Sequence, residues 1–128
     1  MARRLLLIED DLMFAQRARA AAGRLQVAIE SLSPADMAGH PWQGDEVVLV
    51  QATLRPEHQL ALVERLIASR PAPRVLAVTG HLETALRDRL RGLGARLATH
   101  SAIDRPLARA LELSDGDAGG RATSAPSR

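Results

Sequence analysis

Short apolar runs alternate with longer amphipathic segments along this chain. A run of four or five apolar residues is too short for an independent helix, and it is typical of a strand buried on both faces of a parallel sheet. The stretches that predict strands are Leu5–Ile8, Leu25–Ile29, Val47–Val50, Val75–Val78 and the less apolar Arg96–Thr99.

Between these stretches, apolar residues recur at the spacing of helical turns. The predicted helices are Leu12–Gly23, a brief helix from Pro34 to about Ala38, Pro56–Ser69, Leu82–Leu93 and Pro106–Leu113. The alternation predicts an α/β fold, a three-layer sandwich with a five-stranded parallel sheet and about five helices. Right-handed crossovers place the carboxyl ends of all strands along one edge, where open α/β sheets usually bind their ligands.

Three consecutive acids, Glu9, Asp10 and Asp11, follow the first predicted strand. Adjacent carboxylates repel one another, so their meeting on one loop favours a bound cation, with Mg²⁺ the best match to oxygen ligands. The alternative is a solvated acidic turn in which Asp10 or Asp11 caps the next helix, which Gly23 then ends. The local pattern leaves both interpretations open.

The composition excludes several classes of function. The chain of 128 residues has no cysteine and therefore no disulfide, thiolate nucleophile or cysteine-ligated metal. Every basic residue is arginine, which explains a pI near 10.8 at a formal net charge of only +2. This balance disfavours a general nucleic-acid binder. We expect one domain over residues 1–113 and a disordered tail over 114–128.

No apolar run is long enough to span a membrane or to form the core of a signal peptide, so we expect no membrane association and a cytoplasmic location. The four histidines show no metal-ligand spacing and are expected to be solvated loop residues. No phosphate-binding loop, nucleophile elbow or dinucleotide fingerprint is present, and we predict that the chain is not an enzyme.

Taken together, the motifs of residues 3–113 resemble the receiver domain of two-component response regulators, which has a flavodoxin-like fold. In LLLIEDD, Glu9 and Asp10 resemble the acidic pair that binds Mg²⁺ in that family, with Asp11 beside them. In VVLVQATLR, Gln51 stands at the position of the phospho-accepting aspartate. Thr79 matches the hydroxyl residue that contacts the phosphoryl group, and GARLATHSAID matches the end of the family pattern.

Three departures from that pattern decide what the resemblance implies. Gln51 carries an amide, which is not a nucleophile for phosphoryl transfer. The lysine and proline that follow the last strand are replaced by Ser101 and Ala102, so the cation that would neutralise phosphate is missing. The aromatic switch residue falls on Ala98, which has no ring to swing. The phospho-acceptor, the phosphate-binding lysine and the aromatic switch residue of the family are therefore all replaced in this chain.

A neutral amide at position 51 also changes the acidic pocket. It removes one negative charge and can donate a hydrogen bond to Glu9 or Asp10, so we predict a pocket that is stable without metal. No cofactor is expected, and Mg²⁺ should bind weakly. Thr79 is expected to make an ordinary hydrogen bond at the end of its strand.

The last two predicted helices carry an arginine surface, listed as Arg87, Arg91, Arg105 and Arg109. In receivers the corresponding face is a common partner surface, and arginine favours interfaces. The alternative is a solvated helix face with partial self-pairing, for instance between Glu83 and Arg87.

The leading hypothesis is a stand-alone pseudo-receiver that regulates by docking onto a kinase, another regulator, a scaffold or a second copy of itself, without phosphorylation. Nucleic-acid or polyanion binding through the arginine surface is the alternative. Small-ligand sensing in the vacated pocket carries less weight, because the sequence offers only the opportunity for it. Residual phosphotransfer to Asp10 or Asp11 carries the least, because no lysine in the chain can replace the missing one.

Overall fold

The computed structural model describes residues 3–113; the tail predicted for 114–128 lies outside the described residues. Five strands form one parallel sheet in the spatial order β2-β1-β3-β4-β5. The strands are β1 (Arg4–Ile8), β2 (Ile29–Leu32), β3 (Glu46–Gln51), β4 (Arg74–Thr79) and β5 (Arg96–Thr99). The predicted parallel sheet is confirmed, with the apolar runs of β1, β3 and β4 at its centre.

Four α-helices cover the sheet: α1 (Leu12–Arg24), α2 (Pro56–Ala68), α3 (Thr84–Leu93) and α4 (Asp104–Ala110). The brief helix predicted from Pro34 is instead a turn followed by a 3-10 helix at Met37–Gly39. The Ser33 hydroxyl accepts from the Asp36 backbone N–H at 3.1 Å, and this local bond closes a turn in place of a longer helix. One predicted helix is thereby reduced to a single turn.

Alternate residues of the central strands face opposite layers, which explains their continuous apolar character. On one side, Leu5 and Leu7 of β1 join a core that includes α1 and α4. On the other side, Leu6 and Ile8 join a core that includes α2 and α3. Burial on both faces is the arrangement expected of a parallel sheet between helix layers.

The strand predicted at Leu25–Ile29 is wrong by about four residues, because β2 runs from Ile29 to Leu32. Leu25 and Val27 instead belong to the turn that ends α1, where their N–H groups bond to Ala21 and Ala22 carbonyls. The helix passes Gly23, and the positive φ of 60° falls on Gln26. β2 lies at the sheet edge and half faces solvent, so its sequence lacks the apolar run of a central strand.

Within residues 3–113, no helix is long and apolar enough to cross a membrane. The parallel arrangement brings the carboxyl ends of all strands to one edge of the sheet. The acids that follow β1, Gln51 at the end of β3, Thr79 at the end of β4 and His100 after β5 therefore share this carboxyl edge.

Candidate functional site: the carboxyl edge of the sheet

The three acids after β1 do not converge on one point. Glu9 is bonded by the Arg19 guanidinium, which also reaches the Ser31 hydroxyl at 2.7 Å. The Ser31 hydroxyl and then the Arg19 guanidinium lower the pKa of Glu9. Glu9 is thus directed toward α1 and β2, away from the end of β3.

Asp10 is held by an amide from α2. The Gln59 Nε2 donates to Asp10 Oδ2 at 3.0 Å and to the backbone oxygen of Gln51 at 2.6 Å. Gln59 is only 2% exposed, so this contact lies inside the protein. Within the described residues, the buried Oδ1 of Asp10 and Oε1 of Gln59 have no hydrogen-bond partner.

Asp11 has two roles at the start of α1. Its Oδ1 accepts from the Met13 backbone N–H at 3.2 Å and caps the helix, which is one of the two predicted assignments. Its Oδ2 accepts from Gln51 Nε2, also at 3.2 Å. The amide of Gln51 therefore donates to Asp11, and the prediction that it would donate to Glu9 or Asp10 is wrong. Asp10 accepts from Gln59 instead.

Gln51 itself is 4% exposed and uses both ends of its amide. While Nε2 contacts Asp11, Oε1 accepts from the Leu54 backbone N–H at 2.9 Å. The residue at the acceptor position is therefore a structural link between the β3–α2 loop and the start of α1.

The carboxylates do not fit a metal ion in this arrangement. Among residues 3–113, no group of three or more His, Cys, Asp or Glu side chains converges on a common position. Glu9 faces a guanidinium, while Asp10 and Asp11 each face an amide NH₂ group. These donors bond to carboxylate oxygens that a cation would need, and the buried Oδ1 of Asp10 is left without a partner.

Thr79 is fully buried and makes the hydrogen bond at the end of its strand that was expected of it. Its hydroxyl donates to the Gly80 carbonyl at 3.0 Å and accepts from Arg87 Nη1 at 2.9 Å. The same Arg87 nitrogen lies 3.4 Å from the carbonyl oxygen of buried Ala98. Arg87 thus connects the hydroxyl of Thr79 in β4 to the backbone of Ala98 in β5.

This geometry corrects the predicted arginine surface. Arg87 is half-buried and turns inward, and Glu83 does not pair with it. Arg91 is paired with Asp88 at 3.0 Å. Arg105 and Arg109 are exposed on α4, as predicted. Only part of the predicted face therefore presents arginine to solvent.

After β5, His100 rather than Ser101 enters the site. Ser101 is exposed, and its hydroxyl lies 3.5 Å from that of Thr99. His100 packs edge-on against Phe14, and its Nε2 lies 2.9 Å from the Thr53 hydroxyl. The expectation of a solvated loop histidine is wrong for His100, because the turn after β5 directs its ring toward α1.

Thr53 connects His100 to the loop after β4. Its hydroxyl donates to Glu83 Oε2 at 2.9 Å, and this carboxylate also accepts from the Gly80 backbone N–H. Because the hydroxyl has one proton and gives it to Glu83, His100 must donate through Nε2–H. Burial lowers the pKa of His100 and Arg17 lowers it further, whereas Glu83 and Asp11 oppose this shift.

A cleft of about 250 Å³ lies over these residues. Its lining consists of Asp11, Met13, Phe14, Arg17, Gln51, Thr53, Leu54 and His100. Of the three acids only Asp11 reaches this cleft, and Thr79 does not line it. The space beside Gln51 is therefore lined mainly by apolar and neutral side chains.

Sequence reasoning missed Gln59, Thr53 and Glu83. Gln59 carries a detectable signal, because it is a polar residue at helical spacing on the inward stripe of α2 that includes Leu62, Val63 and Leu66. Thr53 and Glu83 lie on separate loops, and no local pattern brings them together.

A scan against protein-family models finds no match, and neither does a search of curated proteins. Solved structures do resemble this chain. A receiver protein from Burkholderia phymatum has a TM-score of 0.68 at 16% identity, covering 88% of this chain and 97% of that chain. One from Pseudoalteromonas atlantica has a TM-score of 0.66 at 13% identity, covering 84% and 93%.

A response regulator from Colwellia psychrerythraea is similar at a TM-score of 0.64 and 11% identity, covering 86% of this chain and 94% of that chain. The chain has the receiver fold. The flavodoxin-like sandwich predicted from the sequence is confirmed, while identities this low speak for the fold alone.

Proposed function

We propose that this chain is a pseudo-receiver, a receiver-fold module that acts in signal transduction by binding a protein partner without aspartyl phosphorylation. The observation that carries the proposal is the double use of the Gln51 amide. A carboxylate at this position would add a negative charge beside Asp10 and Asp11, whereas the amide donates to Asp11 and accepts from Leu54. Both ends of the Gln51 amide are thus bonded within the protein.

Asp11 is the carboxylate that faces the cleft, and it is a poor substitute acceptor. Its oxygens cap α1 and accept from Gln51, so a phosphoryl group on it would break both contacts. The chain also contains no lysine to neutralise such a group, and Ser101, at the clamp position, is exposed. These features support a role in which no phosphoryl group is held.

The same contacts support a non-enzymatic role that needs no metal. Amide groups from Gln51 and Gln59 stabilise the acids that Mg²⁺ would otherwise stabilise. Any binding of Mg²⁺ should therefore be weak.

The arginines that are paired with acids, which include Arg91 of the predicted arginine surface, weaken the case for a polyanion. Ion pairs with acids neutralise Arg3, Arg4, Arg19, Arg24, Arg74, Arg89 and Arg91. A surface that tracks phosphates needs unpaired positive charge along its length. Capture of the tagged chain from extract, with and without nuclease, should yield a nuclease-resistant protein partner.

The central test compares the wild-type chain with Gln51→Asp and, as a matched control, Gln51→Asn. Each is incubated with acetyl phosphate and Mg²⁺, and intact mass spectrometry measures the phosphoryl group. We expect no addition to the wild-type chain or to Gln51→Asn. The wild-type chain should stay unphosphorylated at every Mg²⁺ concentration, up to the highest that calorimetry can use.

Gln51→Asp should lower the free energy of unfolding by about 1–3 kcal/mol, because it replaces a donor to Asp11 with a like charge. Mg²⁺ should restore part of that stability in Gln51→Asp and none in Gln51→Asn. Phosphoryl uptake or tight Mg²⁺ binding by the wild-type chain would overturn the proposal.

A further inference from the structure

The exposed large apolar side chains of residues 3–113 all lie at the carboxyl edge of the sheet. They are Leu12, Met13, Leu54 and Leu82, with exposed fractions of 67%, 66%, 57% and 80%. We call these four residues the apolar rim. They come from the loops or first helical turns that follow β1, β3 and β4. Exposed apolar groups gathered in one place mark an interaction site more often than scattered ones.

Two members of the apolar rim line a cleft, and the other two are their neighbours in the chain or through a hydrogen bond. Met13 and Leu54 line the 250 Å³ cleft, with Phe14 beside them. Leu12 precedes Met13 in the first turn of α1. Leu82 precedes Glu83, whose carboxylate is bonded to Thr53 beside Leu54. The hydrogen bond between Thr53 and Glu83 therefore holds two of the three contributing loops together.

Unpaired positive charge accompanies this apolar surface. Arg17 lines the cleft and also a second cleft of about 560 Å³, which Arg105 lines as well. Arg55 follows Leu54 directly. Within the described residues, none of these three arginines forms an ion pair, and the same is true of Arg65, Arg70, Arg87, Arg96 and Arg109. Arg17 therefore adds positive charge to the apolar contact area, while Asp11 in the same cleft already bonds to Met13 and Gln51.

We infer that the apolar rim and Arg17 dock a segment of a partner protein that carries both apolar and acidic side chains. This inference rests on the proposed interaction function and names its surface. A second copy of the chain fits less well, because a symmetric pairing of two such edges would bring like-charged Arg17 side chains together. Single-stranded nucleic acid lacks its stacking platform here, since Phe14 is buried.

The experiment places a photo-crosslinking residue, p-benzoylphenylalanine, at Leu54 or Leu82 in the tagged full chain. Matched controls carry it at Arg91 or Arg109, which belong to the arginine surface predicted from the sequence. After irradiation in native extract, mass spectrometry identifies the crosslinked peptide. We expect crosslinks from Leu54 and Leu82 to one partner segment containing apolar residues and Asp or Glu.

The affinity of that purified partner is then measured with Leu54→Ser, Leu82→Ser and Arg17→Glu. Each should weaken binding by at least about tenfold, which corresponds to about 1.4 kcal/mol. Arg91→Glu is the charge-matched control and should leave the affinity unchanged. Circular dichroism and unfolding curves check that each exposed substitution leaves the fold intact.

Other outcomes separate the two proposals. Crosslinks only from Arg91 or Arg109 would keep the interaction function and overturn this surface. Crosslinks from Leu54 to the chain itself, or to a segment without acids, would overturn the proposed occupant. Recovery of no protein from any of the four positions would overturn both the surface and the proposed function.

Discussion

The two edges of the sheet satisfy their charges in different ways. At the amino edge, where the strands begin, arginines pair with carboxylates. Arg3 and Arg74 both contact Glu112, at 3.4 and 3.2 Å, and Arg4 contacts Glu30 at 2.9 Å. Glu46 is fully buried there and accepts from the Gln43 and Gly44 backbone N–H groups. The charged groups described at this edge are thus bonded to partners within the same edge.

At the carboxyl edge, two of the three acids are matched by neutral amides. Asp10 and Asp11 accept from Gln59 and Gln51, while Arg17 remains outside any ion pair in the described part of the chain. The apolar rim lies at this edge alone. Under the proposed interaction function, the amino edge serves stability and the carboxyl edge keeps contact area for a partner.

The largest loss in the free energy of unfolding should come from Glu46→Ala at the amino edge. It leaves two backbone N–H groups in a buried position without an acceptor, so we expect a loss of about 3 kcal/mol in the free energy of unfolding. Urea unfolding at pH 7 measures it. Glu30→Ala removes an exposed partner of Arg4 and should cost less than about 1 kcal/mol. Equal losses would contradict the distinction between buried and exposed carboxylates at this edge.

Gln59→Leu should have the next largest effect, at the carboxyl edge. It removes the donor to Asp10 and to the Gln51 carbonyl, and we expect a loss of about 2 kcal/mol. Because Asp10 is then left without its amide, Mg²⁺ should stabilise the variant more than the wild-type chain in thermal unfolding. His58→Leu, at the exposed neighbouring position, should change neither quantity. A Mg²⁺ response identical to wild type would argue against the amide as the substitute for the cation.

The smallest effect concerns the ion pair between Arg24 of α1 and Asp104 of α4. Arg24 donates to both oxygens of Asp104, at 2.6 and 2.7 Å, and this bonding lowers the pKa of Asp104 despite an opposing effect of burial. Asp104→Asn should cost no more than about 1 kcal/mol at pH 7, since the pair is partly exposed.

The pH dependence of this effect has a defined sign. A lowered pKa means that the pair stabilises the fold above the ordinary aspartate value of 3.8, and that this contribution is lost as the pH falls through the folded pKa. Unfolding curves of wild type and Asp104→Asn should therefore converge in acid. Arg24→Gln combined with Asp104→Asn should cost no more than either change alone, and an additive loss would contradict the pairing.

Sequence patterns predicted the central strands and one of the two edge strands. β5, at one edge, was predicted with its observed bounds, and β3, β4 and α2 to within one residue at each end. β3 and β4 are continuous apolar runs, and α2 carries a clear helical stripe. The strand at Leu25–Ile29 was misplaced, because two apolar residues of a turn packed on the core mimic a buried strand.

The candidate site was predicted by position and only partly by contact. The acids, Gln51 and Thr79 lie at the carboxyl edge, because parallel strands must end there. Which residue each side chain contacts was not predictable, since the partners come from elements up to 49 residues apart, as for Gln59 and Asp10. His100 and Arg87 likewise turned inward for reasons of tertiary packing.

The sequence by itself determined the α/β alternation, the amide at position 51 and the absence of lysine and cysteine. These are properties of residue identity and short-range periodicity. Only the tertiary structure decided that amides pair with Asp10 and Asp11, that Arg87 bonds to Thr79, and that the exposed leucines and Met13 gather at one edge. Hydrogen bonds and surface patches depend on distances between elements, and those distances exist only once the layers have packed.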